Sequence, residues 1–240
     1  MIEWLSSNAD TVAYYFAWHT VLAVSPLVLG LAISIPLGWL ARRHRSLYPP
    51  MIGVTGLLYT IPSLALFVAL PVILGTKILD PINVVVALTI YTVALLVRTV
   101  ADGLAAVPDD VIQAATAMGY RPLRRLLQVE LPVAVPTIGA GMRVAAVSNV
   151  SLVSVAALIG TTQLGLLFTD GFSRNFMAPL IVGIVLCVLL ALILDAIIMG
   201  LVRVLTPWQR AAREQQRATG AVVGSPKNGL RRLPEVGRAS

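Results

Sequence analysis

The sequence predicts an all-α integral membrane protein with five transmembrane helices, its amino terminus outside the cell and its carboxyl terminus in the cytoplasm. Three observations predict it. Of 240 residues 58% are hydrophobic and 12% charged, where soluble domains carry roughly a quarter charged residues, and the mean hydropathy is +0.86. Five apolar segments approach the ~20 helical residues that a bilayer core demands. The Lys and Arg residues cluster in alternate loops.

The expected spans lie near 19–40, 51–74, 83–100, 138–159 and 178–201. Arg42, Arg43 and Arg45 follow the first, Arg98, Arg121, Arg124 and Arg125 the third, and Arg203 with seven more the fifth. Only Lys77 and Arg174 stand in the opposite loops, so the positive-inside bias puts the larger group in the cytoplasm. Residues 1–18 are then an extracytoplasmic segment and 19–206 the membrane domain. Residues 207–240, polar and rich in Gly, Pro, Ser, Arg and Gln, read as a disordered basic cytoplasmic tail.

The formal charge of +7 is accounted for by that loop bias, so no nucleic-acid partner is expected; the partner of the surface is the lipid bilayer. The single cysteine, Cys187, lies in an apolar run, which excludes a disulfide framework and a cysteine metal cluster. No metal site is expected. No Lys or Arg precedes Arg42, so the basic start of a cleaved signal peptide is missing and the first span is expected to remain.

Two spans carry more than an anchor needs. Gly53, Gly56, Pro62 and Pro71 interrupt the second, and such breakers persist in membranes where neighbours or a watery cavity satisfy the freed backbone. In the fourth, Ser148, Ser151 and Ser154 recur on one helix face beside Asn149. Small polar groups at that spacing serve either close helix packing or a polar path. Thr60, Pro62, Ser63, Ser148, Asn149 and Ser151 are the candidate path residues. Arg143 and Asp195 enter spans four and five from the same side to a similar depth, roughly 8 to 9 Å. Intramembrane charges face partners or water, and these two are a candidate pair.

The long polar interruption is 102–132. Pro108 suits a first helical turn, Asp109 and Asp110 place negative charge where the helix dipole favours it, and Gly119 suits the residue past the helix end, where φ is positive. Val111, Ala114, Ala115 and Met118 have the spacing of one apolar stripe. A second helix from about Pro122 to Glu130, with Leu123, Leu126 and Leu127 as its stripe, is expected to stop at Pro132. The segment reads as a helix-turn-helix at the membrane surface.

These residues resemble the EAA loop of binding-protein-dependent ABC importer permeases: Gln113-Ala114-Ala115, then Gly119, then Val129-Glu130-Leu131-Pro132. The wider chain is similar to the osmoprotectant group of these permeases, those for glycine betaine, carnitine, choline and proline. The supporting stretches are Thr60-Ile61-Pro62-Ser63-Leu64-Ala65-Leu66, Arg98-Thr99-Val100-Ala101-Asp102-Gly103-Leu104, Ala140-Gly141-Met142-Arg143 and Ala156-Ala157-Leu158-Ile159-Gly160. The leading Glu of the motif is Gln113 here, and the Gly-rich stretch after Gly160 is Thr161-Thr162-Gln163-Leu164-Gly165.

The resemblance implies the five-span MetI-like fold and a multi-pass subunit of the cytoplasmic (inner) membrane. It implies a second permease subunit, identical or related, a substrate-binding protein outside, and separate ATPase subunits that bind ATP and Mg. This chain has no phosphate loop of the Gly-x-x-x-x-Gly-Lys-Ser/Thr type, so it is expected to be a transport subunit and not an enzyme, with no cofactor of its own. Asp109, Gln113, Ala114, Ala115, Gly119, Arg124, Leu131 and Pro132 are the implied coupling residues. A permease of the same fold for another polar nutrient, such as an amino acid, is the alternative. An ion-coupled secondary transporter is less favoured, because no inverted repeat is visible.

Overall fold

The computed structural model describes residues 2–44 and 46–208. Among them every regular element is helical. A short helix α1 (Ile2–Ser7) precedes α2 (Ala9–Arg43), α3 (Tyr48–Thr60), α4 (Ser63–Leu74), α5 (Pro81–Ala105), α6 (Asp109–Ala117) and α7 (Pro122–Arg125). A π-turn, Leu126–Glu130, leads into α8 (Leu131–Val155), a 3₁₀ turn (Ala156–Ile159), α9 (Gly165–Ser173) and α10 (Met177–Leu205).

Four helical stretches among the described residues are long and apolar enough to cross a membrane: Ala9–Arg43, Pro81–Ala105, Pro122–Ile159 and Met177–Leu205. The segment 51–74, expected as a single span, is two helices, α3 and α4, bent by 100° at the break between them. The break follows from Pro62, which disfavours helix at the residue before it; Ile61 and Pro62 are both extended, with ψ of 129° and 131°. Tyr91 donates its hydroxyl to the freed Ile61 carbonyl.

The helix that holds the first expected span extends beyond it: α2 begins at Ala9 and runs for 35 residues, roughly 50 Å at 1.5 Å per residue, so residues 2–18 form α1 and the first turns of α2. Of the tail expected at 207–240, residues 209–240 lie outside the described residues.

α2 and α5 form the centre of the bundle because small residues let their backbones approach. Gly30, Ser34 and Gly38 are buried at four-residue spacing. A Cβ on Gly30 would stand 2.4 Å from Thr92 Cγ2, and one on Gly38 2.6 Å from Val100 Cγ1. Small-residue seams of this kind suit helices in lipid, where no hydrophobic force drives them together. Leu22, Leu27, Phe67, Leu88, Leu96, Val150 and Leu190 fill the core around that seam.

Helix direction gathers the charges at two ends. Arg42 and Arg125 both reach Glu130 at the end where α2 and α5 finish and α8 starts. At the opposite end α9 and the starts of α2 and α10 meet, with Arg174 on Asp170.

Candidate functional site

The candidate site lies at the arginine-rich end, on α6, α7 and the π-turn. Pro108, extended at φ −58° and ψ 140°, precedes α6, and Asp109 and Asp110 occupy its first turn. The helix ends in a Schellman turn: Gly119 N donates to Thr116 O at 3.0 Å, and Tyr120 N to Ala115 O at 3.2 Å. Gly119 carries φ +80°, a left-handed conformation that costs other residues about 1–2 kcal/mol.

The expected apolar stripe of α6 is divided. Ala115 is buried and Val111 half-buried, while Gln113, Ala114 and Gly119 are exposed and Met118 is 70% exposed. Leu126 turns into the core against Val100, Leu104 and Ile138, whereas Leu123 and Leu127 face outward. A π-turn spreads neighbours that an α-helix would stack. The outward surface of this elbow is therefore small residues on α6 flanked by Met118, with Leu123 and Leu127 on the second arm.

Pro132 does not stop the second helix, contrary to expectation. Residues 122–159 form one continuous helical run. The widened turn absorbs the proline: Leu131 N donates to Leu126 O, five residues back, just before the residue that has no N–H to give. Leu131 and Pro132 are half-buried in that rigid joint, and Leu131 packs on the Leu126 cluster. Arg124 lies over the Tyr120 ring at 5.2 Å and donates to Gln128 Oε1 at 2.9 Å.

Glu130, fully buried, ties the elbow to the bundle. Arg42 Nη1 donates to its Oε2 at 2.5 Å and Arg125 Nε to its Oε1 at 2.7 Å. The same Arg125 donates through Nη1 to Thr116 Oγ1 on α6 at 2.8 Å. A side-chain chain thus runs from α6 through Arg125 and Glu130 to the end of α2. Breaking a buried pair of this kind by removing one partner costs about 3–5 kcal/mol. Nearby, Tyr48 donates to Asp102 at 2.6 Å, and Arg98 lies 3.5 Å from the same carboxylate. A cleft of about 790 Å³, lined by Arg42, Arg43, Asp109, Ile112 and Glu130 among others, opens beneath α6.

The path candidates fall in two places. Thr60 and Pro62 are exposed and Ser63 half-buried at the α3–α4 break. On α8, Ser151 is exposed and Ser148 half-buried, but Asn149 turns inward. Its amide donates to Ala23 O at 3.2 Å and to Thr92 Oγ1 at 3.1 Å, binding α8 to both α2 and α5.

Arg143 and Asp195 lie together. Nε donates to Oδ1 at 2.5 Å and Nη2 to Oδ2 at 2.9 Å, a two-pronged contact between α8 and α10. The planar guanidinium matches a carboxylate in this way, where a lysine would offer a single point.

Two features escaped the sequence reading. Glu130 is the one acid between Arg121 and Arg143, a signal that was available, although its partner Arg42 lies 88 positions away. The other is a buried node at the opposite end: His19 Nε2 lies 3.1 Å from Val150 O and Nδ1 3.1 Å from Gln163 Oε1. Gly165 N also donates to Gln163 Oε1, at 2.5 Å. Nothing local marks His19 and Gln163 as neighbours.

Comparison with known proteins identifies the family and the fold. Residues 30–211 match the family described as binding-protein-dependent transport system inner membrane component. The osmoprotectant import permease protein OsmW of Salmonella typhimurium is 36% identical over 209 residues, which span 86% of this chain and 97% of that protein. The glycine betaine/carnitine/choline transport system permease protein OpuCD of Bacillus subtilis is 29% identical, over 84% of this chain and 87% of that one. Among solved structures, an inward-facing form of the MetNI methionine ABC transporter superposes with a TM-score of 0.75 at 21% identity, covering 83% of this chain and 98% of that chain. That likeness speaks for the fold. The chain belongs to the binding-protein-dependent transport system inner membrane components, the permease subunits of ABC importers.

Proposed function

We propose that this subunit carries a compatible solute such as glycine betaine, choline, carnitine or proline into the cell, driven by a separate ATPase that docks on α6. The observation that carries the substrate class is the 36% identity to an osmoprotectant import permease along nearly all of that protein's length. The docking surface is argued from exposure and support. Gln113, Ala114, Met118 and Gly119 face outward on a helix that Arg125 and Glu130 fasten to α2 and α8.

In this reading the arginine-rich end faces the cytoplasm, the bent α3–α4 pair counts as the second of five spans, and the amino terminus lies outside. The protein sits in the inner membrane as one of two permease subunits. ATP and Mg bind to the partner ATPase, and a substrate-binding protein delivers solute at the opposite end. Closure of the ATPase pair moves α6, and the Arg125–Glu130–Arg42 chain passes the displacement to the bundle. A partner needs a differential affinity of about 5.5 kcal/mol to turn a 1:99 equilibrium into 99:1.

Gln113 replaces the family's leading Glu on the exposed face, so docking here relies on shape and hydrogen bonding more than on an ion pair. Thr60, Pro62, Ser63, Ser148 and Ser151 remain the candidate path. Uptake of labelled glycine betaine, choline, carnitine and proline into vesicles carrying the complete transporter tests the proposal. ATP-dependent uptake of one of them is expected, and uptake of an amino acid outside this group would assign the chain to the alternative.

A further inference from the structure

At the end of the bundle away from the arginines, α1 and the first turns of α2 lean against α9 and leave a cleft of about 540 Å³. Small-molecule sites span roughly 300–1,000 Å³. Its walls are chemically mixed in a specific way: Trp4 and Tyr15 supply aromatic surface, Asn8 and Thr169 neutral polar groups, and Asp170 and Arg174 one charge of each sign. Trp4 is steadied by an edge contact with Phe176, ring centroids 6.4 Å apart. Arg174 Nε lies 2.7 Å from Asp170 Oδ1 in a surface pair whose side chains are 72% and 38% exposed. Exposed pairs of this kind are held weakly, so the guanidinium and the carboxylate can part to meet opposite ends of a dipolar guest.

We infer that this cleft is a receiving site for a small zwitterion bearing a methylated ammonium and a carboxylate. The cationic head would rest against the Trp4 and Tyr15 faces beside Asp170, since a ring quadrupole attracts a quaternary ammonium that no hydrogen bond can hold. The carboxylate would take the fork of Arg174, the geometry that guanidinium groups favour. The wall of this cleft includes α1, so the short first helix is given a purpose: it carries Trp4 over α9. The inference rests on the proposed function for its orientation, with the cleft outside and on the route of incoming solute.

The test is equilibrium binding of labelled glycine betaine and choline to the full chain in lipid nanodiscs, beside uptake by the complete transporter. Choline has the ammonium and lacks the carboxylate. Saturable binding of both is expected, with Trp4→Ala weakening both by roughly three- to ten-fold and Trp4→Phe by less. Arg174→Gln is expected to weaken glycine betaine about ten-fold more than choline. If uptake proceeds but neither solute binds the chain saturably, or Trp4→Ala weakens neither, or Arg174→Gln weakens both alike, the receiving site is wrong and the proposed function stands. If none of the solutes is taken up by the complete transporter, the functional reading fails; saturable binding with the expected variant pattern would still support the cleft.

Discussion

Arg42, next to last in α2, and Glu130, last in the π-turn, meet at 2.5 Å across 88 positions of chain. Arg125 completes the contact from the other side and reaches Thr116 on α6. The carboxylate is thus the point where the elbow, α2 and α8 are joined, and it is buried where water cannot replace a missing partner.

Substitution at that point is expected to separate energy use from transport. Glu130→Gln keeps the shape and one acceptor but gives up the charge, so ATP hydrolysis by the complex should continue while uptake falls by an order of magnitude or so. Glu130→Ala should cost about 3–5 kcal/mol and lower the yield of folded protein. Parallel ATPase and uptake assays on the reconstituted complex check the first, and thermal unfolding in nanodiscs the second.

Gly119 should tolerate no side chain well. Gly119→Ala places a Cβ in open space but at φ +80°, so the expected penalty is the left-handed strain of about 1–2 kcal/mol, with partial loss of transport. Gly119→Asp adds a charge to the exposed elbow and is expected to abolish uptake while membrane insertion is retained. Uptake measured beside membrane-fraction abundance distinguishes the two effects.

Charge exchange tests the Arg143–Asp195 contact. Arg143→Asp and Asp195→Arg each leave two like charges facing one another between α8 and α10, and each should reduce folded yield. The double variant is expected to recover much of that loss. A double variant no better than either single one would show that the two residues serve separate partners.

The seam between α2 and α5 allows a sharper structural prediction. Gly38→Ala would bring a Cβ to 2.6 Å from Val100 Cγ1 and 3.0 Å from Ala101 N, and overpacking of this kind costs about 1–3 kcal/mol. Combining it with Val100→Ala should return part of the stability. Unfolding midpoints of the single and double variants in nanodiscs provide the measurement.

His19 and Gln163 should behave as one unit. Each single alanine variant is expected to lose about 1–3 kcal/mol by leaving a buried partner unmatched, and the double variant to lose less than the sum of the two. A double-mutant cycle by thermal unfolding checks it.

Much of the helical plan was legible because lipid imposes it locally. Apolar length marks α2, α5, α8 and α10, and the left-handed turn at Gly119 follows from one residue; Pro62 was legible as a breaker, although not the 100° bend it makes in the second span. Equal depth in neighbouring helices places Arg143 near Asp195, and the two lie 2.5 Å apart. What could not be read depends on distant parts of the chain or on backbone adjustment. The π-turn that carries Pro132 inside a continuous helix leaves no compositional trace. Arg42 with Glu130, His19 with Gln163, and Asn149 with Thr92 and Ala23 become neighbours only after packing. The length of α2 was missed because apolar length marks the part of a helix that lies in lipid and not the turns that continue beyond it to Ala9.

The most direct test of the account is thiol labelling of Met118→Cys in a Cys187→Ser background. Met118 is 70% exposed on the outward side of α6. A membrane-impermeant maleimide should label it from the cytoplasmic face of inverted vesicles, and the assembled ATPase should protect it. Labelling from the outside, or labelling unchanged by the ATPase, would contradict the docking role of α6.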